Sequence, residues 1–288
     1  MTVGFIGVGR MGLPMAGHLL DAGHALVVHD ARPAAAQPLL DRGAVLAGSP
    51  RAVAEAAEVV ITIVPSSREV EMVVASLLPA LGARHLVVEM TTSDPSVTRR
   101  LAAQVAARGA RFIDAPVSGG VKGAVEGTLA IMVGGEAADV ERARPLLERM
   151  GRKIFHVGAV STGHAMKLVN NVTSAACLVA TAEAIAVARR AGIDPARAVE
   201  IIAASSGRSN ASDWKFPQFI LSGRFDAGFA LALMTKDVNG FARLAEELGF
   251  DAPVCVQATE YFRRALAAGL GDADHTAIDT LIDKEKYA

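Results

Sequence analysis

Three glycines stand within six residues near the start of the sequence, Gly7, Gly9 and Gly12, between a short apolar run and a helix-like one. In that setting the first glycine permits a tight turn. The second lets the backbone come close to a pyrophosphate, and the third lets helix and strand pack closely. Val8, Arg10 and Met11 complete the loop, and the helix start behind it offers N–H groups and a positive dipole end to phosphates. Asp30 ends the next apolar run, 23 residues after Gly7. A carboxylate there accepts hydrogen bonds from an adenosine ribose and repels a 2′-phosphate, which favours NAD. Arg32 is placed to pair with such a phosphate, so NADP stays open.

Lys167 has a different chemistry. It lies in the first turns of an otherwise apolar helical stretch, and a partly desolvated lysine is easier to deprotonate. When a hydride leaves an alcohol carbon, a base must take the hydroxyl proton; in reverse, an acid must protonate the nascent alkoxide. Lys167 suits both jobs. Asn171, four residues on, shares its helix face and can donate to a substrate hydroxyl or orient the lysine. Ser118, Gly119 and Gly120 offer a hydroxyl and consecutive N–H groups, an anion-binding concavity that fits a substrate carboxylate. Read alone, a snorkelling lysine and a flexible glycine turn are the plainer accounts. Thr91 and Thr92 follow an apolar run, where a hydroxyl can reach a nicotinamide ribose or carboxamide. His164 precedes Lys167 by one turn and reads as a helix-entry histidine. The seven histidines form no HExxH or other compact ligand set, so no metal is expected.

The elements that must position these residues change character along the chain. Short β-branched runs, Thr2–Gly7, Ala25–Asp30, Glu58–Val64, His85–Met90, Arg111–Val117 and Thr128–Gly135, alternate with helical segments. This predicts an α/β, Rossmann-like domain with a parallel sheet over residues 1–162. From His164 to Arg190 runs one long apolar helix, and the remainder reads as further helices, giving an all-α domain over 163–288. Charged and amide residues in its first turns and Glu183 in its middle leave a charge-free run shorter than the ~20 residues a membrane span needs. A helix so apolar on all sides must be buried, in part against a second subunit. Hydrophobic residues make up 51% of the 288, enough for sizeable cores, and the net charge of −1 gives no reason to expect nucleic acid or an anionic membrane. Cys177 and Cys255 sit in no CxxC pair and read as reduced thiols of a cytoplasmic protein without a signal peptide.

Four separated motifs, in order, resemble the β-hydroxyacid dehydrogenase family, which includes 3-hydroxyisobutyrate dehydrogenase and tartronate semialdehyde reductase. They are GFIGVGRMGLPMAGHL, FIDAPVSGGVKGAVEGTLAIMVGG, GHAMKLVNN and FALALMTKD. The resemblance implies a Rossmann-like domain, a helical substrate and oligomerisation domain, and a site in the cleft between them. It implies reversible NAD(P)-linked oxidation of a short 3-hydroxy acid to its semialdehyde, with Lys167 catalytic. It further implies that Val64-Pro65 passes the cofactor, that Lys236 lies against cofactor and substrate with Phe229 near the nicotinamide, and that the protein is a homodimer or homotetramer. His18 and Ser161 stand where the family usually has Asn and Gly, and Thr91-Thr92 where it has Ser-Thr. Imine reductases of the same architecture commonly replace the lysine, so Lys167 argues against them. A non-catalytic NAD-binding module is the alternative of another class, against which Lys167, Asn171 and Ser118–Gly120 together weigh.

Overall fold

The structure is a computed structural model describing residues 2–284, and it divides into two compact units, Met1–Lys167 and Leu168–Ala288. The first opens with β1 (Thr2–Ile6), α1 (Gly12–Asp21), β2 (Ala25–His29), a 3-10 turn, α2 (Gln37–Leu40), β3 (Val45–Leu46), α3 (Pro50–Ala56), β4 (Val59–Thr62), α4 (Ser67–Leu77), β5 (Leu86–Glu89), α5 (Pro95–Ala106) and β6 (Arg111–Asp114). It continues with β7 (Val117–Ser118), α6 (Gly120–Glu126), β8 (Leu129–Gly134), α7 (Ala137–Met150), β9 (Gly151–Gly158) and the start of α8 (Thr162–Arg190).

The nine strands form one sheet in the order β3-β2-β1-β4-β5-β6-β8-β7, with β9 also pairing β8. β1 to β6 are all parallel, and β4 and β5 are buried at every residue. That follows from helices covering both faces, which Val and Ile runs without polar alternation require. The chain winds outward from β1 through β2 to β3, then returns to β4 and winds the other way. The loops after β1 and β4 therefore diverge at the sheet's carboxyl edge, the switch point at which open α/β sheets bind ligands.

Two features depart from the sequence reading. The run Arg111–Val117 is not one strand: it breaks after Asp114, and Val117–Ser118 turns antiparallel against β8. Pro116 has no N–H for the ladder, while its carbonyl still accepts from Met132. The other is β9, an eight-residue strand mostly facing solvent along RKIFHV, so it lacks the apolar signature by which the inner strands are read.

The second unit continues α8 and adds α9 (Pro195–Ala203), a π-helix over Ala211–Ile220, α10 (Leu231–Glu247), α11 (Pro253–Ala267) and α12 (Ile278–Ile282). Its core gathers Val172, Ala175, Leu178, Val179, Ala182 and Ile185 of α8 with Phe216, Val238 and Phe262. α8 is long and apolar enough to cross a membrane by composition, and half of its most apolar window is buried here.

Candidate active site and cofactor cradle

Gly7 follows β1 with φ of +91°, and a Cβ there would lie 2.1 Å from the Ile63 carbonyl oxygen. A Cβ on Gly12 would lie 1.9 Å from the Gly7 oxygen. Both glycines are thus demanded by the chain's own packing. Gly9 is different: a Cβ there would meet nothing within 4 Å. The chain itself leaves that space open, as close approach by a pyrophosphate requires. No side chain caps α1. An uncapped helix start behind an open glycine is what a pyrophosphate requires, so these residues fit a dinucleotide.

Asp30 stands directly after β2. Its Oδ2 accepts from the Val8 N–H at 2.9 Å and its Oδ1 from the Arg32 N–H at 2.8 Å. It therefore holds the glycine loop, and each oxygen keeps a further lone pair. Arg10 is exposed and Met11 half-buried. Val64, after β4, donates its N–H to the Thr91 hydroxyl at 3.0 Å, which ties the loop carrying exposed Pro65 to the loop carrying Thr92. Ser118 ends β7. Gly119 and Gly120 follow with φ of +130° and +62°, exposed, where a side chain would be strained.

Lys167 is buried, 7% exposed, in the second turn of α8. One turn earlier, His164 is fully enclosed. Its Nε2 lies 2.7 Å from the Thr91 carbonyl oxygen and 3.0 Å from Glu89 Oε2; its Nδ1 lies 2.7 Å from Thr98 Oγ1. Asp114, at the end of β6, accepts the backbone N–H of Ser161 at 2.6 Å and of His164 at 2.7 Å. It thereby caps α8 from another element.

In the second unit, Asn171 is buried and its Nδ2 donates to Asp237 Oδ2 at 2.7 Å, while its Oδ1 accepts from Asn170 at 3.0 Å. A carboxylate only accepts, so Asp237 fixes the amide with nitrogen toward itself, and what Asn171 has left to offer is its second N–H. Lys236 Nζ approaches Asp237 Oδ1 at 3.3 Å, a charge contact without hydrogen-bond geometry. Phe229 is held by the 274–275 turn: its N–H donates to Asp274 Oδ2 at 3.0 Å, its carbonyl accepts from the His275 N–H at 2.8 Å, and its ring meets His275 edge-on at 5.9 Å.

Known proteins resemble this chain over nearly its whole length. Residues 2–158 match the NAD binding domain of 6-phosphogluconate dehydrogenase, and residues 161–282 match the NAD-binding domain of NADP-dependent 3-hydroxyisobutyrate dehydrogenase. The 2-(hydroxymethyl)glutarate dehydrogenase of Eubacterium barkeri is 38% identical, over 96% of this chain and 93% of its own. The 3-hydroxyisobutyrate dehydrogenase of Pseudomonas aeruginosa is also 38% identical, over 96% and 95%. The chain belongs to the β-hydroxyacid dehydrogenase family. It is an NAD(P)-dependent oxidoreductase acting on the CH–OH of 3-hydroxyacids. A solved 3-hydroxyisobutyrate dehydrogenase of Mycobacterium tuberculosis, with L-serine, superposes with a TM-score of 0.92 at 35% identity, covering 98% of both chains. Imine reductases share the fold at 22% identity.

The sequence reading did not single out Glu89, Thr98, Asp114 or Asp237 as parts of the site. Asp114 and Asp237 lie inside two of the quoted motifs, but all four are far along the chain from the residue they hold, so the pairings had no local signal.

Proposed function

We propose that this enzyme oxidises a short 3-hydroxy acid to its semialdehyde, reversibly, with Lys167 as general acid/base. Bound NAD supplies the acceptor for the hydride. Lys167 takes the hydroxyl proton in oxidation and returns it in reduction. The second N–H of Asn171, left over once Asp237 and Asn170 have set the amide, donates to the substrate oxygen as its charge grows. Ser118, Gly119 and Gly120 hold the carboxylate. Gly7, Val8, Gly9, Arg10, Met11 and Gly12 cradle the pyrophosphate, Asp30 takes the ribose, and Val64, Pro65, Thr92, Phe229 and Lys236 complete the cofactor's surroundings. The division of labour runs from a nucleotide domain, 1–162, to a substrate and oligomerisation domain, 163–288.

The observation that carries this reading is a buried lysine on a capped helix turn, followed one turn later by an amide of fixed orientation. The relatives narrow the substrate class. Hydroxyisobutyrate, hydroxymethylglutarate and L-serine are all HOCH2–CHX–COO⁻, differing only in X. A common carboxylate and primary alcohol with a variable third group is the class we assign. Formation of NADH over a panel of such acids tests it: turnover on at least one is expected, and NAD binding with turnover on none contradicts it. A homo-oligomer in the cytoplasm completes the proposal. Its support is a row of small and apolar residues on α8 that a single chain leaves exposed, Val169, Thr173, Ala180, Ala184 and Val187.

A further inference from the structure

His164 lies between two buried carboxylates. Glu89 reaches its Nε2 at 3.0 Å, and Asp114 Oδ2 stands 3.6 Å from its Nδ1; all three side chains are at most 1% exposed. The groups around the ring come from three other elements: Glu89 and the Thr91 carbonyl from the end of β5, Thr98 from α5, and Asp114 from the end of β6. On its own helix the nearest titratable side chain is Lys167, one turn on. The site is built for this carboxylate. A Cβ on Gly134 would lie 2.6 Å from Asp114 Oδ1, and one on Gly163 would lie 2.9 Å from Asp114 Oδ2.

The proton count follows from the contacts. Nε2 faces only acceptors, the Thr91 carbonyl and Glu89, so it carries a proton. At Nδ1 the Thr98 hydroxyl can give or take, because it also lies 3.0 Å from the Asp94 carbonyl oxygen. The carboxylates decide between the two. Burial raises the Asp114 pKa, while the carboxylate form is favoured by the facing His164 and by backbone N–H groups donated to both its oxygens at 2.7 Å or less, at the positive end of α8. With a neutral ring, two buried carboxyl groups would face each other with no cation between them, an arrangement that burial penalises heavily. A proton on Nδ1 gives both of them a cation to face, and Thr98 then donates its O–H hydrogen bond to the Asp94 carbonyl. Burial works against a charged ring here, but Glu89 at 3.0 Å and the charge of Asp114 outweigh it and raise the His164 pKa.

We propose that His164 is a charged positioning residue: its imidazolium, clamped between Glu89 and Asp114, fixes the first turn of α8 and thereby the place of Lys167 relative to the Thr91–Thr92 loop. The inference rests on Lys167 being the acid/base. It goes beyond that reading by naming what sets the lysine in register. Asp114 anchors the turn's backbone, and the His164 ring locks its rotation against β5 and α5. Lys167 follows on the same face.

Two measurements test it on the full-length enzyme. Nitrogen-15 NMR of the histidine rings, assigned by the signal missing in His164→Gln, reads the charge without reference to activity. At pH 8, where an ordinary histidine with pKa near ~6.5 is neutral, His164 is expected to show two protonated ring nitrogens. One bare nitrogen overturns the proposal. In kinetics, His164→Gln is expected to lower kcat on the order of 10²-fold, the cost of a misplaced acid/base, with NADH affinity held within about threefold. Glu89→Gln combined with His164→Gln removes the orphaned anion and is expected to recover part of that loss. Unchanged kcat in His164→Gln, or a double variant losing the full sum of both singles, contradicts the positioning role. Lys167→Ala run alongside separates the readings. Full activity there defeats the acid/base assignment, while the NMR result still judges the clamp.

Discussion

Asp30 does two things at once, and the two separate in a variant. In the proposed role its charge repels a 2′-phosphate, an interaction of ~1 kcal/mol at 4 Å in water and ~4 near a protein surface. Its oxygens also hold the Val8 and Arg32 N–H groups. Asp30→Ala is therefore expected to weaken both cofactors and to shift the kcat/KM ratio toward NADP by at least about tenfold. An unchanged ratio removes Asp30 from cofactor choice. Lys215 makes a different prediction. It is buried in the π-helix, bonded to the Ser174 hydroxyl at 2.8 Å, and burial pushes its pKa down from 10.5 to about 8. Between those values the unfolded chain binds a proton that the native one does not, so stability rises with pH through that window. Below about pH 8 the native state carries the full cost of the buried ammonium. Lys215→Met should melt higher than the parent at pH 7, with the gap shrinking toward pH 10. Thermal unfolding at both pH values checks this, and a gap independent of pH contradicts it. At this scale the sequence offered candidates wherever polar residues were packed into a short motif, as at Lys167 and Asn171. It was silent where partners meet only through folding: His164 lies 50 residues from Asp114, and Asn171 lies 66 from Asp237.

Elements tell the same story in another form. Gly9 and Gly12 look alike in a motif, but the structure gives them opposite roles. Gly12→Ala places a methyl 1.9 Å from a backbone oxygen on the strand-to-helix turn and should destabilise the fold by several kcal/mol. Gly9→Ala meets no protein atom within 4 Å, so its melting temperature should match the parent's, while NADH affinity falls. Calorimetry and a fluorescence titration on the pair decide it; equal behaviour of the two variants refutes the cradle. The inner strands were legible because burial on both faces leaves continuous apolar runs, and α8 because it is apolar over most of its length. The exposed edge strand β9 carries no such run. The break in Arg111–Val117 hinged on Pro116 alone. The π-helix over Ala211–Ile220 contains Pro217, and its i→i+5 bonding has no counterpart in a period of 3.6.

For the whole molecule, the exposed row on α8 predicts association. Light scattering at micromolar concentration should report a dimer or tetramer, and a monomer would remove the oligomer while leaving the chemistry untouched. The account as a whole stands on a division of tasks: the glycine cradle and Asp30 hold the cofactor, while Lys167 moves the proton. One variant separates them. With a hydroxyacid that the parent turns over, Lys167→Ala is expected to keep its fold and its NADH affinity and to lose roughly 10²–10⁴-fold in kcat. A loss smaller than about threefold in a folded, cofactor-binding variant would show that the proton moves by another route.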